Sequence, residues 1–305
     1  MIDLAIVVVA YNSAADLPQL LASIPAAAGA LSWHVVVVDN SAATSTSLAE
    51  TCGRPERVSF VDAGSNLGYS GGLNLGLQLV SPSRFTVFLN PDLTLQAHAL
   101  EHLVEACVGT EADVGAAASV PLVLDAHGRP QPSLRREPTT LRSLGEALCG
   151  DHWPGRPHWL AEMVRSPEDY ARARPVEWAT GAALLVRTNV VTLIGPWDSA
   201  RFFLYSEETD YARRIRDRGY TIAFAPTAVV RHRGAASGSG PALDALLAVN
   251  KVRYFRKWHG RPASALFFGV AVVHSLIRLR RPESRLTLRA LFSAPARAAL
   301  PGGGA

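Results

Sequence analysis

The length and composition of the chain indicate a folded protein with a sizeable core. The chain has 305 residues, of which 48% are hydrophobic and 18% are charged, and these proportions exclude disorder over most of its length. Lysine and arginine (30 residues) exceed aspartate and glutamate (26 residues), which gives a net charge of +4. This excess is small and dispersed, whereas a nucleic-acid-binding protein would carry a basic stripe with interleaved aromatic residues.

The cysteines and the first residues indicate a reducing, cytoplasmic setting. Cys52, Cys107 and Cys149 form no CxxC spacing, so they predict neither a disulfide framework nor a zinc site. Residues 1–4 run into an apolar segment without a basic leader. We therefore expect no signal peptide and a cytoplasmic location.

Apolar runs alternate with a helical pattern in the first half of the chain. The runs predict strands at residues 4–10, 33–38, 58–61 and 85–89. Between the first two, residues 16–24 place leucines and an isoleucine on one helical stripe. Continuous apolar strands are typical of a parallel sheet that helices cover on both faces. The sequence therefore predicts an α/β fold built from βαβ units.

Polar residues follow three of the predicted strands where each strand ends. They are Tyr11-Asn12, Asp39-Asn40 and Asn90-Pro91-Asp92. In open α/β sheets, ligands bind beyond the carboxyl ends of the strands, so we expect a ligand site at this edge, with an exposed Asp92 at its mouth. The alternative for residues 90–92 is an Asx-Pro turn that only redirects the chain.

A glycine-rich segment, GSNLGYSGGLNLG at residues 64–76, follows the third strand and begins a helix. Glycines allow a ligand to approach the backbone closely, and a helix N-terminus favours an anion such as a diphosphate. The segment lacks the Gly-Lys-Ser/Thr of a Walker loop, and no glycine follows the first strand, where a dinucleotide-binding fingerprint would place it. A Rossmann oxidoreductase is thus an alternative that only Asp39 supports.

These motifs together resemble the donor half of family 2 glycosyltransferases, which are inverting enzymes of GT-A fold. The motifs are VVVAYN (7–12), VVVVDNSA (35–42), the glycine segment and FLNPD (88–92). WATGAALLVRT (178–188) and FFLYSEETDYARRIRDRGY (202–220) are similar to the acceptor half of that family. Within the family, the chain looks most like bacterial rhamnosyltransferases of cell-wall and O-antigen assembly. The resemblance implies a GT-A sheet, mixed but mainly parallel, with flanking helices and a C-terminal helical segment.

The resemblance also implies a site for a nucleotide-diphosphate sugar. It places against the donor Ala10, Tyr11, Asn12, Asp39, Asn66, Gly71, Gly72, Asn90 and Asp92. Asp92 and His232 would hold Mg²⁺ or Mn²⁺ on the diphosphate, because a hard cation offsets the charge that grows on this leaving group. Asn90 stands where many relatives have an aspartate, so an inactive nucleotide-sugar-binding module is a further alternative. A Gly/Ser loop at residues 235–240 follows His232.

The acidic cluster at residues 207–210 is the candidate catalytic base. An inverting transfer needs a carboxylate that takes the proton of the attacking hydroxyl. By resemblance this base is Glu208, with Glu207 and Asp210 as further catalytic candidates. The alternative is structural: Ser206 would cap a helix whose dipole the acidic residues complement, and Asp210 would pair with Arg214.

The resemblance places the acceptor at Trp178, Thr180 and Gly181. It implies a glycan or polyprenyl-linked acceptor and a dTDP- or UDP-sugar donor, of which dTDP-rhamnose is the best candidate. Residues 124–159 are rich in proline, histidine and arginine, which predicts a long surface excursion over the acceptor.

The pattern of the last 65 residues, 241–305, predicts helices. Residues 241–259 form one helix, and residues 263–277 form an apolar segment shorter than the roughly 20 residues of a membrane span. Arginines follow it at positions 278, 280, 281, 285 and 289. This pattern fits a peripheral element at the inner face of the plasma membrane; the alternatives are packing on the core or a homodimer contact. We therefore expect a catalytic domain at 1–240, with a donor half at about 1–120 and an acceptor half at about 175–235, and a C-terminal segment at 241–305.

Overall fold

The fold alternates strands and helices in the computed structural model, which describes residues 1–41, 48–108, 116–150, 153, 155–234 and 240–303. The strands are β1 (Ile2–Ala10), β2 (Trp33–Asp39), β3 (Val58–Asp62), β4 (Ser83–Leu89), β5 (Leu93–Leu95), β6 (Ala118–Leu124), β7 (Leu134–Arg135), β8 (Arg174–Val176), β9 (Trp178–Ala179), β10 (Ala183–Arg187) and β11 (Ile222–His232). The helices are α1 (Leu17–Ala28), α2 (Leu48–Thr51), α3 (Gly68–Leu79), α4 (Ala99–Val108), α5 (Thr140–Leu148), α6 (Thr188–Ile194), α7 (Glu207–Asp217), α8 (Pro241–Trp258), α9 (Arg261–Ile277), α10 (Pro282–Phe292) and α11 (Ala294–Ala298).

One sheet of nine strands organises the part of the chain that the structure describes. Its order is β3-β2-β1-β4-β10-β6-β11-β5, and β8 pairs with the start of β11. The strands β3, β2, β1 and β4 are parallel, β10 is antiparallel to both neighbours, and β11 is parallel to β6. The carboxyl ends of β1, β2, β4 and β11 therefore lie at one edge, which confirms the predicted sheet.

Strand β1 shows why the apolar runs are continuous. Its alternate residues Leu4, Ile6 and Val8 pack in a core with helices α1 and α4. Val7 and Val9 point to the opposite face and pack in a second core with α3, α6 and α7. Because side chains alternate along a strand, a strand covered on both faces has no solvent-facing position. The four strands and the first helix predicted from the sequence are all present, with slightly longer bounds.

The glycines of the helix α3 serve its packing against the sheet. A Cβ atom at Gly72 would lie 2.7 Å from Cγ1 of Val9, and one at Gly76 would lie 2.4 Å from Cγ1 of Val7. These distances are shorter than van der Waals contact, so a side chain at either position would push the helix from the sheet. The glycine pattern thus records close helix–strand packing as well as ligand access.

The predicted surface excursion at residues 124–159 contains exposed turns but also ordered elements that pack on the fold. Its residues form β7, which pairs with β9, and α5, which packs against α9. Arg156 is buried and forms an ion pair with Glu146, and the Arg278 guanidinium donates to the carbonyl of Ala147 at 2.7 Å. Arg156, which suggested a solvated loop, is instead a partner in a buried contact, because a paired charge tolerates burial, whereas Arg129 is exposed.

The helices α8, α9 and α10 share a core of their own and also contact the sheet-bearing part. The Asn250 amide donates to the carbonyl of Leu204 at 2.8 Å, and Lys257 forms an ion pair with Asp198 at 2.8 Å. Among the described residues, no helix is long and apolar enough to cross a membrane. The domain boundary at residue 240 stays a prediction, and these contacts bind its two sides together.

Candidate active site

A cavity of about 320 Å³ lies at the carboxyl edge of the sheet. Strand-end residues and the glycine segment form one part of its lining; these include Tyr11, Asn40, Asn66, Asn90 and Asp92. The other part is apolar and consists of Phe203, Leu204, Leu243 and Pro301. The sequence predicted the polar part, but the apolar part joins a loop, the helix α8 and the chain after α11, which lie too far apart in sequence for a local pattern to connect them.

Asn40 fixes the glycine segment to the end of β2. The side chain is buried, and its amide donates to Oδ1 of Asn66 at 3.0 Å and to the carbonyl of Gly68 at 3.1 Å. Its own oxygen accepts from the backbone N–H of Leu67 at 2.9 Å. Since an amide with all these partners is satisfied by the protein, Asn40 shapes the cavity; it was missed as a site residue, although it follows Asp39 directly.

The turn after β1 is tied to the turn after β2. Asn12 has a left-handed backbone (φ 52°), and its N–H donates to Oγ of Ser41 at 2.9 Å. The Ser41 N–H in turn donates to the Asp39 carboxylate at 3.0 Å. Tyr11 remains 45% exposed beside the cavity, so its ring is free for a planar ligand. Ala10 is buried in the core, and its carbonyl accepts from the N–H of Asn40.

Five of the nine predicted donor residues do not line this cavity: Ala10, Asn12, Asp39, Gly71 and Gly72. Gly72 faces Val9 of the sheet, and Gly71 faces a shallow depression on the outer side of α3. Gly68, at the start of α3, lines the cavity in their place. Asn90 is part of the lining, and its N–H donates to the carbonyl of Ala182 at 2.9 Å.

Asp92 and His232 lie side by side, as the metal prediction requires. His232 ends β11 opposite Leu93 of β5, so the preceding residue, Asp92, falls next to it. Nε2 of His232 is 3.1 Å from Oδ1 of Asp92. The expected exposure of Asp92 is wrong, because its residue is only 7% exposed. Burial acts to raise the pKa of Asp92, but the hydrogen bond and charge of His232, with backbone amides, bring that pKa below its ordinary value.

This pair fits a divalent cation with few protein ligands. Two atoms that bind one octahedral cation at right angles lie about 3.0 Å apart for bonds of about 2.1 Å. The described residues contain no group of three or more His, Cys, Asp or Glu side chains suited to a metal. A cation here would therefore need oxygen atoms from a diphosphate and from water, as is usual for Mg²⁺. The predicted Gly/Ser loop at 235–240 lies, except for Gly240, outside the described residues.

Glu207 and Glu208 begin the helix α7 and carry oxygens with no partner. Oε2 of each carboxylate is buried without a hydrogen bond. Burial raises the pKa of both groups, and the charge of Glu208 raises that of Glu207 further. Ser206, with φ 70°, makes no side-chain capping bond, so the capping alternative is wrong. An unpartnered carboxylate oxygen at a helix start is free to accept a proton from a ligand.

Asp210 is anchored in a different network. It is fully buried, and its oxygens contact Nε of Arg214 at 3.0 Å, Nζ of Lys257 at 2.6 Å and Nε1 of Trp258 at 3.0 Å. The predicted Arg214 pairing is confirmed. Because two cations and an indole engage the carboxylate, the geometry favours Glu207 and Glu208 over Asp210 as the base.

The three predicted acceptor residues divide between core and cavity. Trp178 is buried, and its indole N–H donates to the carbonyl of Arg136 at 2.9 Å. Thr180 and Gly181 line a small pocket together with Glu208 and Tyr69. Their position beside the candidate base supports a role in acceptor binding for these two, and a packing role for Trp178.

Tyr69 links the two halves of the site and was missed as a site residue. Its phenol donates to the carbonyl of Gly181 at 3.3 Å, and its ring lines both the main cavity and the small pocket. Burial raises the pKa of Tyr69, and the charges of Glu207, Glu208 and Asp92 raise it further. The sequence signal that could have identified Tyr69 is an aromatic residue inside a glycine-rich segment.

We expect Tyr69→Phe to lower turnover by about threefold to tenfold, the range for one hydrogen bond. The ring is retained, so donor KM should change little while kcat falls because Gly181 and its neighbours lose a fixed partner. Steady-state kinetics measures both constants. Tyr220→Phe, at the far end of α7, is the matched control; an equal loss there, or a change confined to KM, would contradict a positioning role for the phenol.

Comparisons with solved structures agree with this fold. A structure of GalNAc-T7 with UDP, GalNAc and Mn²⁺ superposes with a TM-score of 0.56 at 15% identity, covering 85% of this chain and 51% of that chain. The chain thus spans about half the length of GalNAc-T7. A structure of S. aureus TarS 1-349 in complex with UDP-GlcNAc gives a TM-score of 0.52 at 15% identity, covering 98% of this chain and 82% of that chain. The fold is therefore that of GT-A glycosyltransferases.

The sequence comparisons identify the family. Residues 5–160 match the domain described as glycosyl transferase family 2, and the chain belongs to that family. It is 28% identical over 307 residues to the N-acetylglucosaminyl-diphospho-decaprenol L-rhamnosyltransferase of Mycobacterium tuberculosis, covering 93% of this chain and 97% of the relative. It is 31% identical over 226 residues to the low-salt glycan biosynthesis hexosyltransferase Agl10 of Haloferax volcanii, covering 72% and 64%. The protein is thus a glycosyltransferase.

Proposed function

We propose that the protein moves L-rhamnose from dTDP-rhamnose, with inversion, to a hydroxyl of a polyprenyl-linked glycan in cell-surface polysaccharide synthesis. The main support is one arrangement: Tyr69 lines the cavity of Asp92, which pairs with His232, and also the small pocket of Glu208, and the charges of Asp92, Glu207 and Glu208 all raise its pKa. The mycobacterial relative, which matches over most of both chains, is named for a rhamnosyl transfer to a lipid-linked acceptor. The proposal also places the protein in the cytoplasm, at the membrane where such acceptors reside.

In this mechanism the acceptor hydroxyl attacks the anomeric carbon of the donor sugar. The bond from that carbon to the diphosphate breaks, and the electron pair leaves with the nucleoside diphosphate. Glu208 takes the proton of the hydroxyl, from the face opposite the leaving group. One attack from the opposite face inverts the anomeric centre.

Asp92 and His232 would hold a divalent cation, and Asn66 and Asn90 would line the donor beside it. A bound Mg²⁺ or Mn²⁺ would neutralise the diphosphate as its charge grows. The apolar lining from Phe203, Leu204 and Leu243 suits the C5 methyl group of a 6-deoxy sugar, since it offers a C6 hydroxyl no partner. This lining favours rhamnose over hexoses within the proposal.

A thermal-shift screen with dTDP-, UDP- and GDP-sugars, each with Mg²⁺ or Mn²⁺, tests the donor. A ligand at 100 times its Kd stabilises the fold by about 2.7 kcal/mol, and we expect dTDP-rhamnose with metal to give the largest shift. Product analysis by NMR then reports the anomeric configuration. Stabilisation by a nicotinamide cofactor would favour the oxidoreductase alternative, and binding without turnover would favour an inactive nucleotide-sugar-binding module.

A further inference from the structure

The helix α9 presents an apolar stripe to solvent. On its inward face, Phe267 packs in the core that α9 shares with α8 and α10, and Val270 is buried. The outward positions, spaced as one helical face, are Pro262, Leu266, Gly269, Val273, Leu276 and Ile277. Leu266 is 63% exposed and Ile277 is 57% exposed. A helix of 17 residues is about 25 Å long, so this stripe is far more extensive than a scattered surface leucine.

The helices that pack against α9 also expose large apolar residues. The helix α5 packs against α9, and its residues Leu141 and Leu148 are largely exposed. Phe292, at the end of α10, is 68% exposed. We call these residues, with the outward stripe of α9, the apolar face. A soluble surface seldom leaves so many large apolar side chains together without a partner.

Exposed arginines follow α9 directly along the chain, and we call them the basic border. Arg281, Arg285 and Arg289 are exposed and recur every four residues, which places them on one side of α10, and Arg280 is exposed beside them. Arg278 differs from the sequence prediction, because its guanidinium turns inward to the carbonyl of Ala147. The basic border therefore consists of the other four arginines.

The charge of the whole chain is concentrated in this segment. Residues 259–303 contain seven arginines, no lysine and a single acidic residue, Glu283. The segment therefore carries a net charge of +6, and since the whole chain carries +4 the remainder carries −2. A second copy of the chain would bring its own arginines against these, so an anionic partner is favoured over self-association.

We propose that the apolar face and its basic border form a docking surface for an anionic lipid bilayer. The apolar side chains enter the boundary between headgroups and acyl chains, and the four arginines pair with lipid phosphates. Most of this face lies on residues 241–303, which contain α8 to α11 and which we call the helical layer. The same layer contributes Leu243 and Pro301 to the donor cavity. Docking thus brings the cavity to the surface where a lipid-linked acceptor lies, and it does not depend on which sugar is transferred.

Vesicle flotation with the full chain tests the docking, with no sugar donor present. We expect binding to vesicles of phosphatidylcholine mixed with phosphatidylglycerol, weakening as salt rises, and little binding to phosphatidylcholine alone. Neutralising Arg281, Arg285 and Arg289 to glutamine should reduce binding about 10²-fold, since each arginine near an anionic surface contributes about fivefold. A Leu266→Ser, Ile277→Ser variant should also bind less.

The matched control is the triple glutamine variant at Arg54, Arg129 and Arg172, which are exposed and lie outside the helical layer. It changes the net charge equally and should bind like the wild type. An equal loss of vesicle binding in this control would show that only the net charge matters, which would contradict a specific docking surface. Failure of the wild type to bind anionic vesicles would also overturn the proposal. The other candidate partner for the apolar face is a second copy of the chain. Size-exclusion chromatography of the wild type and the Leu266→Ser, Ile277→Ser variant tests this. A wild-type dimer that becomes a monomer in the variant would assign the face to a second copy and overturn the proposal.

Discussion

Replacing Glu208 with glutamine is expected to reduce sugar transfer by about 10²-fold or more, while donor affinity stays nearly unchanged. The amide keeps the shape of the side chain but cannot accept the acceptor's proton. The buried, unpartnered Oε2 of Glu208 and its neighbours Thr180 and Gly181 place this carboxylate where the acceptor is expected. Turnover by product formation and donor affinity by calorimetry measure the two quantities separately.

Glu207→Gln is the matched comparison, because the two glutamates are adjacent, each has a buried Oε2, and the pKa of both is raised. We expect the smaller loss of transfer for Glu207. If the two variants exchange ranks, Glu207 is the base; if neither loses turnover, the base lies elsewhere and the pair has a structural role.

The raised pKa values of this pair give the same prediction a pH dependence. A base works only when ionised, so transfer by the wild type should rise with pH through the raised pKa of Glu208. The effect on stability has the opposite direction. A carboxyl group whose pKa is higher in the folded state binds more protons when the protein is folded. Its contribution to the free energy of unfolding therefore falls as the pH rises above the pKa of the unfolded state. In Glu208→Gln, part of that loss of stability between acidic and neutral pH should disappear, which thermal unfolding measures.

Asp92→Asn is expected to abolish metal-dependent donor binding and to lower turnover by at least about 10²-fold, since cation stabilisation of the leaving group is worth several kcal/mol. The amide retains the volume of this buried side chain, so the fold should persist. Calorimetric titration of Mn²⁺ in the presence of nucleoside diphosphate measures the loss.

His232→Ala separates a ligand from a structural neighbour. We expect weaker metal affinity at nearly unchanged thermal stability, because His232 is partly exposed at the end of a strand. Unchanged metal dependence in Asp92→Asn would move the cation site elsewhere, and a pure loss of stability in His232→Ala would make the histidine a packing residue.

The polar part of the site could be predicted because it follows local patterns. Tyr11 and Asp92 each stand after a continuous apolar run, and parallel strands bring such ends to one edge. His232 was placed beside the metal by resemblance alone. Its register opposite Leu93 depends on pairing between distant strands, which no local pattern encodes.

The parts that sequence reasoning missed depend on long-range contacts. The arginines of residues 124–159 suggested solvent exposure, whereas Arg156 is buried against Glu146. A charged residue is costly to bury alone, so the sequence pattern predicts that it is exposed. The pattern does not show the distant partner that makes burial favourable. For the same reason Asp210 was a candidate base by its position in the chain, and only the structure shows that α8 supplies its partners.

The contact between Asp210 and the helix α8 limits how this enzyme can be recombined with its relatives. Lys257 and Trp258 bind the carboxylate of Asp210, two residues after the candidate base Glu208. A chimera joined at residue 240 would exchange those partners and leave a buried acid mismatched, at about 3–5 kcal/mol for a broken buried pair. The helix that holds the base and the helix that follows the junction therefore have to be inherited as one unit, and acceptor specificity has to be transplanted with both.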